Sequence, residues 1–86
     1  MTEFTREEIL DKVNAGESLK GMNLREADLL GANMYGADLR AADLRGTNLY
    51  MANLYKADLN KALYDADTKW PEGFDPIARG CELVED

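Results

Sequence analysis

Apolar residues recur every five positions through the middle of the chain. Between residues 17 and 61 the sequence divides into nine units: ESLKG, MNLRE, ADLLG, ANMYG, ADLRA, ADLRG, TNLYM, ANLYK and ADLNK. The central residue of each unit is Leu or Met, and the residue before it is Asn or Asp in eight of the nine. A period of five leaves no continuous face on an α-helix, which repeats about every 3.6 residues, or on a strand, which repeats every two. Each unit must therefore contain its own bend.

The residue types within a unit indicate what each position does. The small first residue and the central Leu are two positions apart, which directs both to the same side of a short extended segment. Asn and Asp favour bends because their side chains bond to nearby backbone groups. Four units end in Gly, where a corner requires a positive φ, at Gly21, Gly31, Gly36 and Gly46. The pattern predicts an extended segment followed by a corner in every unit.

This A-(D/N)-L-X-X motif resembles that of the pentapeptide-repeat family, and the units cover about half of the chain. The resemblance implies an all-β solenoid, a right-handed quadrilateral β-helix in which four units form one square coil. Residues twenty apart would then stack on the same side, with the central Leu and Met inside. On this basis residues 17–66 form a repeat region of about 2.5 coils within a single domain.

Residues 1–16 are predicted to form a capping α-helix. Thr5 and Glu8 have the spacing of a capping box, and Phe4 and Ile9 have that of a hydrophobic staple. A helix with one apolar stripe needs a surface to cover, and the open first coil provides one. The alternative is an amphipathic helix that binds a partner.

Residues 67–86 are predicted to cap the other end and to form the tail. Trp70, Phe74 and Ile77 supply large apolar groups to plug the last coil, with a turn at Pro71 and Gly73. The string YDADTKWPEGFDP resembles the end of small, cyanobacterial-type members of the same family.

Composition narrows the function classes. The chain has 86 residues, a single Cys and no His, so it has neither an internal disulfide nor the ligands typical of a structural zinc site. Its net charge of −7 disfavours direct binding to nucleic acid or to an anionic membrane. The N-terminus lacks a secretory h-region, and no segment has the roughly 20 apolar residues of a membrane span. We therefore expect a cytoplasmic protein.

No residue set indicates catalysis or a cofactor. His, the commonest general base, is absent. Cys81 lies in the acidic tail CELVED, where neighbouring carboxylates are expected to raise the thiol pKa. The repeated Asp residues are interpreted as turn formers. Asp38 and Asp58 would stack in one column, and a weak cation site there is the alternative. We expect no enzyme, no cofactor and no metal.

The predicted exposed positions define a candidate interaction patch. Stacking at a spacing of twenty residues places apolar groups on two adjoining sides, at Leu30, Tyr35, Tyr50, Met51 and Tyr55. These side chains are either a ladder that stabilises stacked coils or a surface for a partner. The other two sides carry Arg25, Arg40 and Arg45 among acidic residues, which predicts surface ion pairs.

These observations predict a non-enzymatic scaffold or protein-interaction module, with an unidentified protein or a second copy as its partner. The resemblance suggests an alternative, because some family members are acidic mimics of duplex DNA that act on DNA gyrase and related topoisomerases. The charge of −7 fits that activity. The short repeat region does not, because one turn of DNA is about 34 Å long.

Overall fold

The computed structural model describes residues 4–85. Within them, one helix and two short strands are regular: α1 (Arg6–Asn14), β1 (Leu63–Tyr64) and β2 (Glu82–Leu83). The two strands pair in parallel, with Leu63 opposite Glu82. Residues 1–3 and 86, which the predicted caps 1–16 and 67–86 include, lie outside the described residues. The division into two caps and a repeat region of residues 17–66 stays a prediction.

The five-residue units stack on one another through backbone hydrogen bonds. The Leu24 N–H donates to the Asp43 carbonyl at 3.0 Å, and the Asp43 N–H donates to the Met22 carbonyl at 2.9 Å. The same exchange recurs along the chain, so the backbone returns to the same side about every twenty residues. We call each run of four units a layer. Parallel bridges define four sides: the first at Asn23, Asp43 and Leu63, the second at Asp28, Asn48 and Lys69, the third at Asn33 and Asn53, and the fourth at Asp38 and Asp58.

Each unit bends in the predicted way. The Asn23 Oδ1 accepts the N–H of Arg25 at 3.1 Å, and the seven later Asn and Asp residues of the units repeat this bond. Ser18, the exception in the motif, substitutes its hydroxyl oxygen as the acceptor for the Lys20 N–H at 3.0 Å. The fifth residue of every unit has φ between 58° and 71°, at Gly21, Glu26, Gly31, Gly36, Ala41, Gly46, Met51, Lys56 and Lys61. The corner is thus imposed by the fold on non-glycine residues as well.

The core is built from the first and third residues of the units. The central Leu and Met side chains are all buried, and so are the small residues from Ala27 onwards. Thr47 replaces Ala at one of these positions and is fully buried. Its Oγ1 donates to the Leu24 carbonyl at 2.7 Å, so the buried hydroxyl has a partner.

Helix α1 covers the N-terminal end of the stack. The predicted capping box is present: the Thr5 Oγ1 accepts the Glu8 N–H at 3.1 Å, and the Glu8 Oε1 accepts the Thr5 N–H at 2.9 Å. Ile9 is fully buried in the repeat core, and Phe4 packs against it. The apolar stripe of the helix therefore faces the first layer.

Three aromatic rings cover the C-terminal end. Trp70 and Phe74 stack with their ring centroids 4.8 Å apart, and Tyr64 meets Trp70 edge-on at 5.7 Å. The prediction that Ile77 joins this plug is wrong, because its side chain is 62% exposed. Asp75 Oδ1 accepts the Ile77 N–H at 3.1 Å, which starts the turn over residues 76–80 outside the core.

The repeat resumes beyond the point where its motif decays. Lys69 bridges to Asn48, a spacing of 21 rather than 20 residues. Thr68 is buried like Thr47, and its Oγ1 donates to the Leu44 carbonyl at 2.9 Å. The extra residue is accommodated near Asp65, whose Oδ1 accepts the Gly46 N–H at 3.0 Å. Thr68, Lys69 and Trp70 therefore occupy the first three positions of a further unit.

Candidate interaction surface

The five predicted patch residues are all exposed, on the second and third sides. The rings of Tyr35 and Tyr55 lie 5.8 Å apart on the third side. Leu30 and Tyr50 occupy equivalent positions on the second side, where the Gly31 N–H donates to the Tyr50 carbonyl at 2.8 Å. Their exposed fractions range from 44% for Leu30 to 70% for Met51. We call these five residues the tyrosine patch.

The repeat itself turns these side chains outward. In each unit the fourth residue follows the buried central Leu and precedes the corner, so its side chain points away from the core. The Asn48 and Asn53 side chains hold the Tyr50 and Tyr55 N–H groups at 3.0 Å each, which fixes these positions. Met51 is placed by its corner φ of 61°. The patch thus lies on rigid backbone.

The contact between the two rings bears on the alternative of a stacking ladder. A tilted aromatic pair such as Tyr35 and Tyr55 contributes about 0.5–1.5 kcal/mol beyond the area it buries. This stabilisation supports the stacking-ladder interpretation for the column of Tyr35 and Tyr55. Since both rings are still at least half exposed, each also offers an apolar face to a partner.

Arg45 and Arg40 form ion pairs on the first and fourth sides, as predicted, whereas the Nε of Arg25 is buried without a hydrogen-bond partner among residues 4–85. Arg45 Nη2 lies 2.7 Å from Asp43 Oδ2, and Arg40 Nη2 lies 2.8 Å from Asp38 Oδ2. Arg45 and Arg40 each pair mainly with the Asp two residues earlier in the same unit. The hydrogen bond from Arg45 lowers the pKa of Asp43, and those from Arg40 and then Ser18 lower the pKa of Asp38.

The column of Asp38 and Asp58 is bridged by a guanidinium. Arg40 contacts Asp38 closely, and its Nε lies 3.9 Å from Asp58 Oδ2. Within residues 4–85, no group of three or more His, Cys, Asp or Glu side chains is arranged to hold a metal ion. In the same part of the chain, no helix has the length and apolar character needed to span a bilayer.

Cys81 differs from the prediction in its surroundings. Its side chain is buried, with its Sγ 3.7 Å from the Leu59 carbonyl oxygen, rather than lying in an open acidic tail. Burial raises the pKa of the Cys81 thiol to about 11, against the opposing charge of Arg79. The predicted direction of the pKa shift was right, but its assigned cause was wrong. A buried, protonated thiol is a poor nucleophile.

Two surface clefts were not predicted. One, of about 390 Å³, is lined by residues 65–67 and 83–85. The other, of about 290 Å³, lies between residues 52–55 and the turn at residues 71–74, and Arg79 also lines it. The sequence indicated the turn through Pro71 and Gly73. It carried no signal for the side of the stack that the turn leaves open.

Comparisons with known proteins agree with the repeat. The family model described as pentapeptide repeats matches residues 16–40 and 23–60, with eight copies. The chain is similar to alr5209, a pentapeptide repeat protein from Nostoc Pcc 7120 with a crystal structure. The TM-score is 0.64 and the sequence identity 42%, over 79% of this chain and 60% of that one. The chain thus spans less than two thirds of that protein's length. No curated protein matches it.

Proposed function

The chain belongs to the pentapeptide-repeat family, and from this membership we propose that it is a protein-interaction module that contacts its partner through the tyrosine patch. Proteins of this family are generally non-catalytic repeat proteins. The partner is a second protein or a second copy of this chain.

The architecture inferred for the module is a right-handed quadrilateral β-helix. Two observations support this inference. The bridges recur on four sides at a spacing of twenty residues, and the similarity to the Nostoc protein reaches a TM-score of 0.64. In such a fold the outward positions of stacked units form flat sides, which suits recognition of another protein surface.

The observation that carries the proposal is the concentration of apolar exposure on two adjoining sides. Tyr50 and Tyr55 are exposed by 46% and 65%, whereas the fourth positions of the units on the other two sides carry Lys, Arg and Asn. Met51, at the corner next to Tyr50, is exposed by 70%. Contiguous exposed apolar groups mark interaction sites, and Tyr is enriched among residues that dominate binding energy. Exposure on this scale exceeds what stacking between layers requires.

A matched pair of double variants tests the patch. Tyr50→Ala with Tyr55→Ala removes one ring from each of its sides. Arg40→Ala with Arg45→Ala is the control, because these residues hold the same fourth position in two adjacent units of the other sides. Molar mass is measured by size-exclusion chromatography with light scattering. Partners are measured by capture on immobilised wild type and on both variants.

The two partner types give different results. If wild type and control are dimers and the Tyr variant is a monomer, the partner is a second copy. If all three are monomers, a partner retained by wild type and control but not by the Tyr variant supports a second protein. Equal mass and equal capture for all three would contradict the proposal.

The DNA-mimic alternative gains no support from residues 4–85 or from the matched proteins. No observation favours it over the interaction module.

A further inference from the structure

The outer layer of the third side ends in backbone groups without partners. Residues 52–56 form this outer layer. Their backbone is bonded normally to the preceding layer: the Asn53 N–H donates to the Ala32 carbonyl, and the Met34 N–H donates to the Asn53 carbonyl, both at 2.9 Å. Three backbone groups of this layer face away from the preceding layer: the N–H groups of Leu54 and Lys56 and the carbonyl of Ala52. These three groups make no hydrogen bond within residues 4–85. The equivalent groups one layer earlier, at Met34, Gly36 and Ala32, are all hydrogen-bonded.

The other three sides continue outward through at least one backbone hydrogen bond each. On the first side Glu82 N–H donates to the Ala62 carbonyl at 2.8 Å, and on the second Lys69 N–H donates to Thr47 at 3.0 Å. On the fourth side Lys61 N–H donates to the carbonyl of Gly80 at 2.7 Å. The third side is therefore open where its neighbours are covered.

A turn explains why the chain leaves this side. Pro71 has no N–H to donate, and its carbonyl accepts the Phe74 N–H at 3.0 Å, which closes a turn on itself. The chain is thereby directed away from residues 52–56 instead of pairing with them. The result is the open cleft of about 290 Å³ between the two segments.

One cation lines this cleft, and a second lies next to a lining residue. Arg79 lines it and is held in place, because its Nη2 donates to the Ala57 carbonyl at 2.7 Å and its guanidinium lies 5.1 Å from the Phe74 ring centroid. The Nζ of Lys56 lies 5.9 Å from the ring centroid of Tyr55, which lines the cleft. Glu72 is the acidic residue of the lining. Since charges beyond about 8 Å are largely screened at physiological ionic strength, Arg79, Lys56 and Glu72 matter more at this cleft than the net charge of the chain.

We propose that residues 52–56 form a docking edge for an extended acidic segment of a partner protein, which pairs in parallel as an added strand. An edge with free donors and acceptors is a template for strand addition, in which backbone bonds supply affinity and side chains supply specificity. The segment's carbonyls accept from Leu54 and Lys56, and one of its N–H groups donates to Ala52. The inference rests on the proposed function, because it specifies the form of the protein partner.

Amide hydrogen exchange of the full chain, measured residue by residue by NMR, tests the edge directly. Without a ligand, the Leu54 and Lys56 amides should exchange at least tenfold faster than those of Met34 and Gly36. The probe is the acidic peptide ADLEGADLEG, which carries the spacing of the repeat. At saturation it should slow exchange at Leu54 and Lys56 at least tenfold and leave Met34 and Gly36 unchanged.

Two controls separate strand addition from other binding. The same peptide methylated on alternate backbone nitrogens should lose binding, because it can no longer donate to Ala52. Lys56→Glu should weaken probe binding at least threefold by reversing the charge at the end of the edge. Lys61→Glu should leave it unchanged, because Lys61 holds the same position in the next unit, has a similar φ of 65°, and its N–H already donates to the Gly80 carbonyl.

Each contrary result has its own meaning. No binding at millimolar probe, or binding that leaves the Leu54 and Lys56 amides unprotected, overturns the inference. The tyrosine patch is judged separately with Tyr50→Ala alone, because Tyr55 lines the cleft and Tyr50 does not. If the two amides are already protected without probe and the molar mass is doubled, a second copy fills the edge and the acidic-segment proposal fails.

Discussion

The two ends of the stack meet the same requirement with different elements. At the N-terminal end, helix α1 places Ile9 on the first layer, where it is fully buried. At the C-terminal end, an irregular segment places the half-buried rings of Trp70 and Phe74 on the last layer and leaves the third side open. A helix satisfies its own backbone groups and can lie on an apolar surface in any register. A loop depends on the layer beneath it for backbone partners, so each of its turns leaves some of them unpaired.

The largest expected loss of stability is at the N-terminal end, which helix α1 covers. Ile9→Ala should lower the free energy of unfolding by about 3 kcal/mol, since the removed side chain is fully buried. Leu10→Ala is the control, because Leu10 lies on the same helix but is only partly buried. Leu10→Ala should lower the free energy of unfolding by less than half as much, as measured by urea denaturation. Equal losses for the two variants would show that the helix does not close the stack through Ile9.

Substitutions at the open, C-terminal end should lower the free energy of unfolding less than Ile9→Ala does, by an amount that depends on the replacement. Trp70→Ala removes a stacked ring and should cost about 2 kcal/mol. Trp70→Phe should cost less than about 1 kcal/mol, because the Trp70 Nε1 is buried without an acceptor among residues 4–85 and its removal relieves that penalty. Urea denaturation of the two variants checks this difference. A Phe variant as unstable as the Ala variant would mean that the indole has a partner in solution.

Alkaline pH should weaken the C-terminal end through Cys81. Burial raises the folded-state pKa of this thiol to about 11, above the ordinary value of about 8.5. The contribution of the protonated thiol to the free energy of unfolding is complete below the unfolded-state pKa. It is lost as the pH rises toward 11, because the unfolded chain loses the proton first. The loss should be at most about 3 kcal/mol, since one pKa unit corresponds to about 1.4 kcal/mol.

Urea denaturation at pH 7.5 and 10.5, in wild type and in Cys81→Ala, measures this contribution. The variant removes the thiol and keeps every other titrating group, so the difference between the two pH dependences isolates Cys81. Identical pH dependences would show that the thiol is accessible to water in the folded chain.

The corners between the two ends should show the smallest effects. Gly36 has φ 68°, and an added Cβ would meet no atom within 4 Å, so Gly36→Ala tests backbone strain alone. It should cost about 1 kcal/mol. Ala41 holds the same corner position with φ 58°, and Ala41→Gly should stabilise the fold by at most about 0.5 kcal/mol, because added chain entropy in the unfolded state offsets the relief of strain. Thermal unfolding of both variants checks the opposite signs.

Much of the fold could be predicted from local chemistry. The bond from Asn23 Oδ1 to the Arg25 N–H spans two residues, and the Thr5–Glu8 capping box spans three. Interactions this short depend only on residue type and spacing, so each could be predicted from the letters alone. The tyrosine patch followed from the same regularity, because a strict period of five fixes which positions stack. Tyr35 and Tyr55 do contact each other.

The prediction failed where the period was lost. Trp70 takes a central position of the repeat, but the extra residue near Asp65 shifts it out of the register that the motif shows. Ile77 was predicted to plug the last coil and is exposed, and Cys81 was predicted to lie in the acidic tail and is buried. Whether these side chains face the core depends on the path of the preceding turns. That path is not encoded in any pair of neighbouring residues.

The sequence by itself determined the unit, its bend, its inward residues and the helix that covers the first layer, because each of these depends on contacts within about five residues or on their exact repetition. Only the tertiary structure decided how the C-terminal segment returns to the stack, which backbone groups it covers and which it leaves unpaired. Those outcomes depend on the balance between a turn that bonds to itself at Pro71 and Phe74 and a ladder about twenty residues away. The docking edge at residues 52–56 is a product of that balance.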